Sequence, residues 1–255
     1  MKILALTLFH MLSHDVELTP LQDPARVSEI TPLVTPMPDF AGYTNLQQKK
    51  SEFFNYMLPS IRAGNARIRA ERQSLQMLIQ HLQNEQTLTD NETRTAVSLL
   101  RRYKLAVPEV MTLPCLTVLL SRIDVVPEAL ILAQSANESG WGTSRFARKA
   151  NNFFGIWCFS TGCGLAPRGR DSGLRHEVAK YDSVLDGVHA YLRVLNTHPA
   201  YETLRDIRVE QRQYGTLNGE ALAEGLTPYS ERGIDYVRDI QQLIRVNDLQ
   251  TFTSV

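Results

Sequence analysis

The sequence predicts a mainly α fold with one small β element in its middle, on three observations. Apolar residues recur at spacings of three and four through most of the chain, glycines cluster in one central loop, and a short alternating run follows that loop. At 255 residues, 43% hydrophobic and 21% charged, the composition is that of an ordinary globular protein. Lys+Arg and Asp+Glu are both 27, so no bulk field gathers nucleic acid, and no nucleic-acid partner is expected.

Residues 1–12 (M-K-I-L-A-L-T-L-F-H-M-L) carry one lysine and then a short apolar run, too short to span a bilayer. They read as a secretory signal or an N-terminal anchor, although His10 interrupts the run and no small-x-small cleavage site follows. An exported protein peripheral to the membrane or envelope is the expectation. Five of the twelve prolines (Pro20, Pro24, Pro32, Pro36 and Pro38) fall next, so residues 1–43 are assigned as signal or anchor plus a proline-rich arm.

Residues 44–107 are assigned as a helical N-terminal region. Phe53, Phe54, Met57, Leu58 and Ile61, then Ile68, Leu75, Leu78 and Leu82, make one helical stripe, which Pro59 and Gly64 are expected to kink or divide. The arginines of this region (Arg62, Arg67, Arg69 and Arg72) read as a solvated face rather than a phosphate site, because acidic and neutral residues intervene. A second amphipathic helix starts at Thr89 or Asp90.

Residues 108–255 are assigned as the functional domain. A dense apolar helix ends near Asp124, and Val126-Pro127-Glu128 restarts another, with proline at its first turn and an acid near its positive end. On that helix Ile131, Gln134 and Glu138 share one side, and Gly140 terminates it. Glu138 thus falls in the last turn of a buried helix, where desolvation and the negative dipole end both favour its protonated form. Beyond the glycines, residues 174–181 (L-R-H-E-V-A-K-Y) alternate as the second strand of a hairpin, with Asp171-Ser172-Gly173 as its turn. Ser183 with Asp186 opens a further helix, which His198-Pro199 ends. Tyr201 to Ile207, Ala221-Leu222 and Tyr236 to Ile244 mark the remaining ones.

Several chemistries are absent from the sequence. It has no H-E-x-x-H, no glycine-rich phosphate cradle followed by lysine, and no G-x-S-x-G elbow. No cofactor is expected, and no metal. Of the three cysteines, Cys158 and Cys163 are spaced to close a small disulfide loop in an oxidising compartment or to stay as free thiols in a reducing one. What remains is a buried Glu beside Trp and Phe, with amides and tyrosines around it. That combination suits carbohydrate, because aromatic faces stack on sugar rings and a protonated carboxyl donates to a glycosidic oxygen. The bland alternative is that Glu138 caps or pairs with an arginine, and that Trp141 and Trp157 are core.

The run A-Q-S-A-N-E-S-G-W-G-T-S followed by N-N-F-F-G-I resembles the signature of the glucosaminidase family of peptidoglycan hydrolases, glycoside hydrolase family 73. The W-C-F and G-C-G runs and the late S-E-R-G are especially similar to its Bax-type members. The resemblance spans residues 108–246 and implies a lysozyme-like α-rich catalytic domain with a small β-hairpin lobe. It implies an endo-β-N-acetylglucosaminidase of the cell envelope or periplasm, cleaving the β-1,4 bond between GlcNAc and MurNAc in peptidoglycan glycan strands, with Glu138 as general acid. A muramidase or lytic transglycosylase, which shares E-S-G, and a non-enzymatic glycan-binding protein are the alternatives. The resemblance further implies a functional tyrosine, best matched by Tyr229, although Tyr229 and Tyr236 lie seven apart here against six in the family pattern. Trp141, Asn152, Phe154, Tyr181 and Tyr236 are assigned to substrate binding. The departure lies in the hairpin. Relatives carry a second Glu on its first strand, which here reads G-L-A-P-R-G-R, so Glu177 on the second strand is the preferred second carboxylate, ahead of Asp171.

Overall fold

The computed structural model describes residues 36–167 and 176–252. Residues 1–35, with the expected signal or anchor and most of the proline-rich arm, lie outside the described residues, as do Asp171 and its turn. The mainly α, lysozyme-like architecture with a small β lobe is what the chain adopts. Nine α-helices and three short strands are described: α1 (Leu46–Gln83), α2 (Asp90–Arg102), α3 (Leu113–Arg122), α4 (Glu128–Ser139), α5 (Arg145–Ala150), β1 (Trp157–Cys158), β2 (Gly164–Leu165), β3 (Glu177–Ala179), α6 (Val184–Thr197), α7 (Glu202–Gln213), α8 (Gly219–Leu222) and α9 (Ile234–Val246). Three 3-10 turns, Pro199–Tyr201, Ala223–Tyr229 and Leu249–Phe252, join or follow the later helices.

Local chemistry sets the helix starts. Asn45 accepts from the Gln48 amide at the head of α1, and Thr89 forms a reciprocal capping box with Glu92 on α2. Ser144 caps α5 and Ser183 caps α6. Contrary to the sequence reading, α1 is one helix of 38 residues that neither Pro59 nor Gly64 divides. Pro59 faces solvent, so the carbonyl it leaves unpaired one turn back can bond water, while Met57, Leu58 and Ile61 hold the buried side. Gly64 serves as a contact point: a Cβ there would stand 3.0 Å from both the Val188 and Leu192 side chains of α6.

α4 is the buried centre. Ala129 through Ala133 are sealed from solvent, and α1, α8, α9 and the 249–252 turn pack around this helix. Residues 44–107 contribute to the same hydrophobic cluster as the helices that follow, through Phe53, Phe54, Met57, Ile61, Leu75 and Leu100.

Not all of the arginines on α1 are solvated. Arg62 bonds the carboxylate of buried Glu128, and Arg72 donates to the Leu120 and Ile123 carbonyls beside Asp124. Fully buried Arg208 on α7 gathers the carbonyls of Ser121 and Asp124 and the amide oxygen of Asn196, which fixes the turn leading into α4.

The sheet order is β1-β3-β2, all antiparallel, with Trp157 opposite Val178 and Leu165 opposite the same residue. β1 is a third strand that the sequence reading did not separate from the loop. Among the described residues no helix is long and apolar enough to cross a membrane.

Candidate active site

The site is built at the end of α4, and the sequence after Glu138 explains how. Gly140, Trp141 and Gly142 are consecutive left-handed residues, with φ of 57°, 58° and 75°. The chain therefore reverses within three residues, and the Trp141 amide bonds back to the Ala136 carbonyl at 2.8 Å. Ser139 clamps the reversal: its hydroxyl donates to the Ser135 carbonyl and accepts from the Gly142 amide at 2.8 Å. Glycine is required at 142 for a second reason, since the Phe40 ring occupies the space where a Cβ would lie, with Cδ2 only 2.3 Å from that point.

Glu138 keeps part of its side chain at the surface, while its carboxyl group is packed among tyrosines from four later segments. It accepts from Asn137 Nδ2 at 3.2 Å and bonds the Tyr236 hydroxyl. Burial pushes its pKa above the ordinary carboxylate range, against the opposing pull of these two hydrogen bonds. Tyr191 of α6, Tyr201 and Tyr229 of the 3-10 turns and Tyr236 of α9 all lie within its field. Burial first, then repulsion that includes the Glu138 charge, raises the pKa of each, so all four stay neutral hydroxyls. Among the described residues no second carboxylate and no arginine perturbs Glu138.

The other sequence-assigned residues divide into two groups. Tyr229 and Tyr236 join Glu138: their rings stack at 5.6 Å with planes 6° apart, and the Tyr229 hydroxyl donates to the Phe154 carbonyl at 2.7 Å. Partly exposed Tyr181 adds to the perturbation of Tyr229, and its own pKa is pushed up to about 12 by burial. The rest are engaged in packing or backbone contacts around this cluster and the β lobe. Asn152 is buried and commits its amide to the backbone, donating to the Ile156 and Ala179 carbonyls and accepting from the Phe154 and Ile156 amides. It thereby pins the N-N-F-F-G-I loop to β3, and Phe154, 2% exposed, stacks on Tyr191 at 4.2 Å. Trp141 is wedged against Phe53 and Phe54 of α1 with Lys50 over its ring, and its remaining surface lines a shallow cleft with Asn137, Asp239 and Gln242.

Glu177 lies on β3 of the β lobe. Its two carboxylate oxygens accept from the Gly162 and Gly164 amides at 3.2 and 2.8 Å, bracing the loop that the Cys158–Cys163 disulfide closes. Cys158, Cys163 and Glu177 are the grouping with metal-ligand proximity among the described residues. Both sulfurs are tied up in the disulfide and offer no thiolate.

The sequence reading missed several participants, Tyr201 and Asn137 among them. Gln134 precedes Glu138 by one helical turn and links Tyr191 to Tyr236; the i, i+4 spacing to the acid was its visible signal. Tyr191 had been read only as part of a buried stripe. Gly155, φ 65°, faces the acid: a Cβ built there would stand 3.8 Å from Glu138 Oε2.

Comparison with known proteins shows the family. Residues 116–249 match the glucosaminidase family model, described as mannosyl-glycoprotein endo-β-N-acetylglucosaminidase. Protein bax of Escherichia coli (strain K12) is 33% identical over 202 residues, covering 78% of this chain and 70% of that protein. No solved structure gives a significant match. The matched span contains Glu138, all four tyrosines and the β lobe, and the chain accordingly belongs to the glucosaminidase family, a family of glycosidases.

Proposed function

We propose that the protein is an endo-β-N-acetylglucosaminidase of the cell envelope that cuts the β-1,4 bond on the GlcNAc side of peptidoglycan glycan strands, with Glu138 as general acid. The observation that carries this reading is a desolvated carboxyl whose described surroundings are neutral hydroxyls and amides. Such a group holds its proton to higher pH than an ordinary glutamate and can donate it to a departing glycosidic oxygen. The Bax relative and the S-E-R-G run favour the peptidoglycan substrate, and the disulfide favours an oxidising compartment such as the periplasm.

Glu177 is engaged by two backbone amides in the β lobe, so the second catalytic group is assigned to the substrate. As Glu138 gives its proton to the leaving oxygen and the C1–O bond breaks, the carbonyl oxygen of the 2-acetamido group attacks C1 from the opposite face and closes an oxazolinium ring; water, losing a proton to the Glu138 carboxylate, then opens it at C1. Tyr229, anchored on the Phe154 carbonyl, stands beside Glu138 as the group that positions the acetamido arm.

The test is digestion of purified sacculi followed by mass spectrometry of the products. New GlcNAc reducing ends, lost in Glu138→Gln, are expected. Muramic reducing ends would indicate a muramidase and 1,6-anhydro-muramic ends a transglycosylase, and either would overturn the assignment. Wild-type lysis by Glu138→Gln would remove Glu138 as the acid.

A further inference from the structure

We infer that Gln134 is a positioning residue for Glu138, fixing through Tyr236 the direction in which the hydrogen bonds around the acid run. The inference rests on the reading of Glu138 as general acid. It is carried by a count of protons along one buried chain.

Gln134 is fully buried, one helical turn before Glu138 on the same side of α4. The Tyr191 hydroxyl donates its proton to Gln134 Oε1, and Gln134 Nε2 donates to the Tyr236 oxygen at 2.9 Å. An amide has one accepting and one donating end, so once Tyr191 has taken the oxygen, the nitrogen must face Tyr236. The Tyr236 oxygen is then an acceptor toward Gln134, and its single proton is left for Glu138, to which it is hydrogen-bonded. Asn137 Nδ2 is also a donor to Glu138. Both side-chain groups bonded to the acid therefore give protons and neither takes one. Among the described side chains bonded to Glu138, a proton on the acid finds no acceptor and is held for an incoming substrate oxygen. Were the amide reversed, Tyr236 would direct its proton to Gln134 and Glu138 would spend its own on Tyr236.

The groups facing Glu138 from the packed elements are Tyr191 on α6, Tyr201 and Tyr229 on the 3-10 turns, and Tyr236 on α9, all neutral. A shift in the titration of Glu138 after a change at position 134 must therefore pass through Tyr236 rather than through a new charge.

The experiment is the pH profile of kcat for the full chain on purified bacterial sacculi, in Gln134→Met, Tyr236→Phe, the double variant and Glu138→Gln. Tyr236→Phe removes a donor that favours the ionised acid, so the alkaline limb should move to higher pH. kcat at the wild-type optimum should fall on the order of tenfold, the usual loss with one charge-assisted hydrogen bond. Gln134→Met, similar in volume but without the amide, should move the limb in the same direction with KM unchanged, and should add nothing in the Tyr236→Phe background. A merely structural Gln134 would lower thermal stability and leave the limb in place. An unmoved limb in Gln134→Met, or effects that add in full in the double variant, would overturn the inference. Should Gln134→Met fail to fold, an unmoved limb in Tyr236→Phe alone has the same force. Glu138→Gln separates the two levels: an inactive Glu138→Gln beside unmoved limbs refutes the role of Gln134 only, whereas an active one refutes the acid assignment beneath it.

Discussion

Replacing Gly142 by alanine should destabilise the protein, and the same change should cost less when Phe40 is already alanine. A Cβ at 142 would stand 2.3 Å from Phe40 Cδ2 and 2.8 Å from Cε2. Ordinary carbon contacts begin about 3.5 Å apart, so the ring must retreat by roughly 1 Å. It has little room, being 2% exposed and in edge contact with Phe53 and Tyr56 at 5.5 and 5.8 Å between centroids. Overpacking of this kind costs about 1–3 kcal/mol. Alanine at φ 75° adds about 1–2 kcal/mol of left-handed strain. Phe40→Ala alone should cost about 3–5 kcal/mol as a core truncation. In the double variant the clash is gone and only the strain remains, so the coupling energy should equal the overpacking part, about 1–3 kcal/mol. Urea unfolding of the four proteins measures it. Costs that add to within about 0.5 kcal/mol would mean that the ring does not fill the glycine's missing side chain.

Further outcomes follow from the same geometry. Glu138 binds its proton more tightly in the folded chain than in the unfolded one, so its contribution to stability is full below the ordinary glutamate pKa and is lost as pH rises through the raised folded value. Glu138→Gln should therefore match the wild type in urea midpoint at about pH 4 and exceed it at pH 7; a less stable variant at pH 7 contradicts the burial argument. Glu177→Gln loses one of two amide contacts in the β lobe, which should cost about 1–2 kcal/mol while hydrolysis persists. A rate loss of about 10²–10⁴ would instead identify Glu177 as a base. NMR of the first product formed should show the β-anomer, as substrate assistance requires, and the α-anomer would point to a second carboxylate. A chain reduced to residues 108–255 should fail to fold, because it exposes the surface that α1 covers; a soluble, fully active fragment would refute that.

Much of this architecture was visible in the residues because local and tertiary preferences agreed. Thr89 with Glu92 and Ser183 with Asp186 announce helix starts, and Gly140 announces the end of α4 at the required left-handed angle. Pro59 misled for the opposite reason: its local cost is real, but ten buried residues elsewhere on α1 outweigh it. The carboxyl proposed as the acid stood out in the sequence because few motifs place a carboxyl at the end of an apolar helix and then reverse the chain with two glycines. Its surroundings did not. Tyr191 reads as one more apolar position on α6, and only the tertiary placement of α6, which packs on α1, brings its hydroxyl to Gln134. Glu177 alternates correctly for a strand, yet alternation does not reveal that its carboxylate braces the loop closed by the Cys158–Cys163 disulfide.

The support for Glu138 comes from both sides of α4, and the two sides have different origins in the chain. The tyrosines that set its protonation come from α6, α9 and the 3-10 turns, all inside the span that the family model covers. The rings that hold the reversal after it in place, Phe40, Phe53 and Phe54, come from residues before that span. Trp141 shows what this second layer does. At φ 58° a bulky residue is strained by about 1–2 kcal/mol, and edge contacts with Phe53 and Phe54, about 0.5–1.5 kcal/mol each beyond burial, are of the size needed to offset that. The same contacts hold Gly142 under Phe40 and keep Ser139 within reach of the Gly142 amide. α1 and the residues leading into it thus form the back wall of the acid's turn, and their position is set by the core rather than by the glycan.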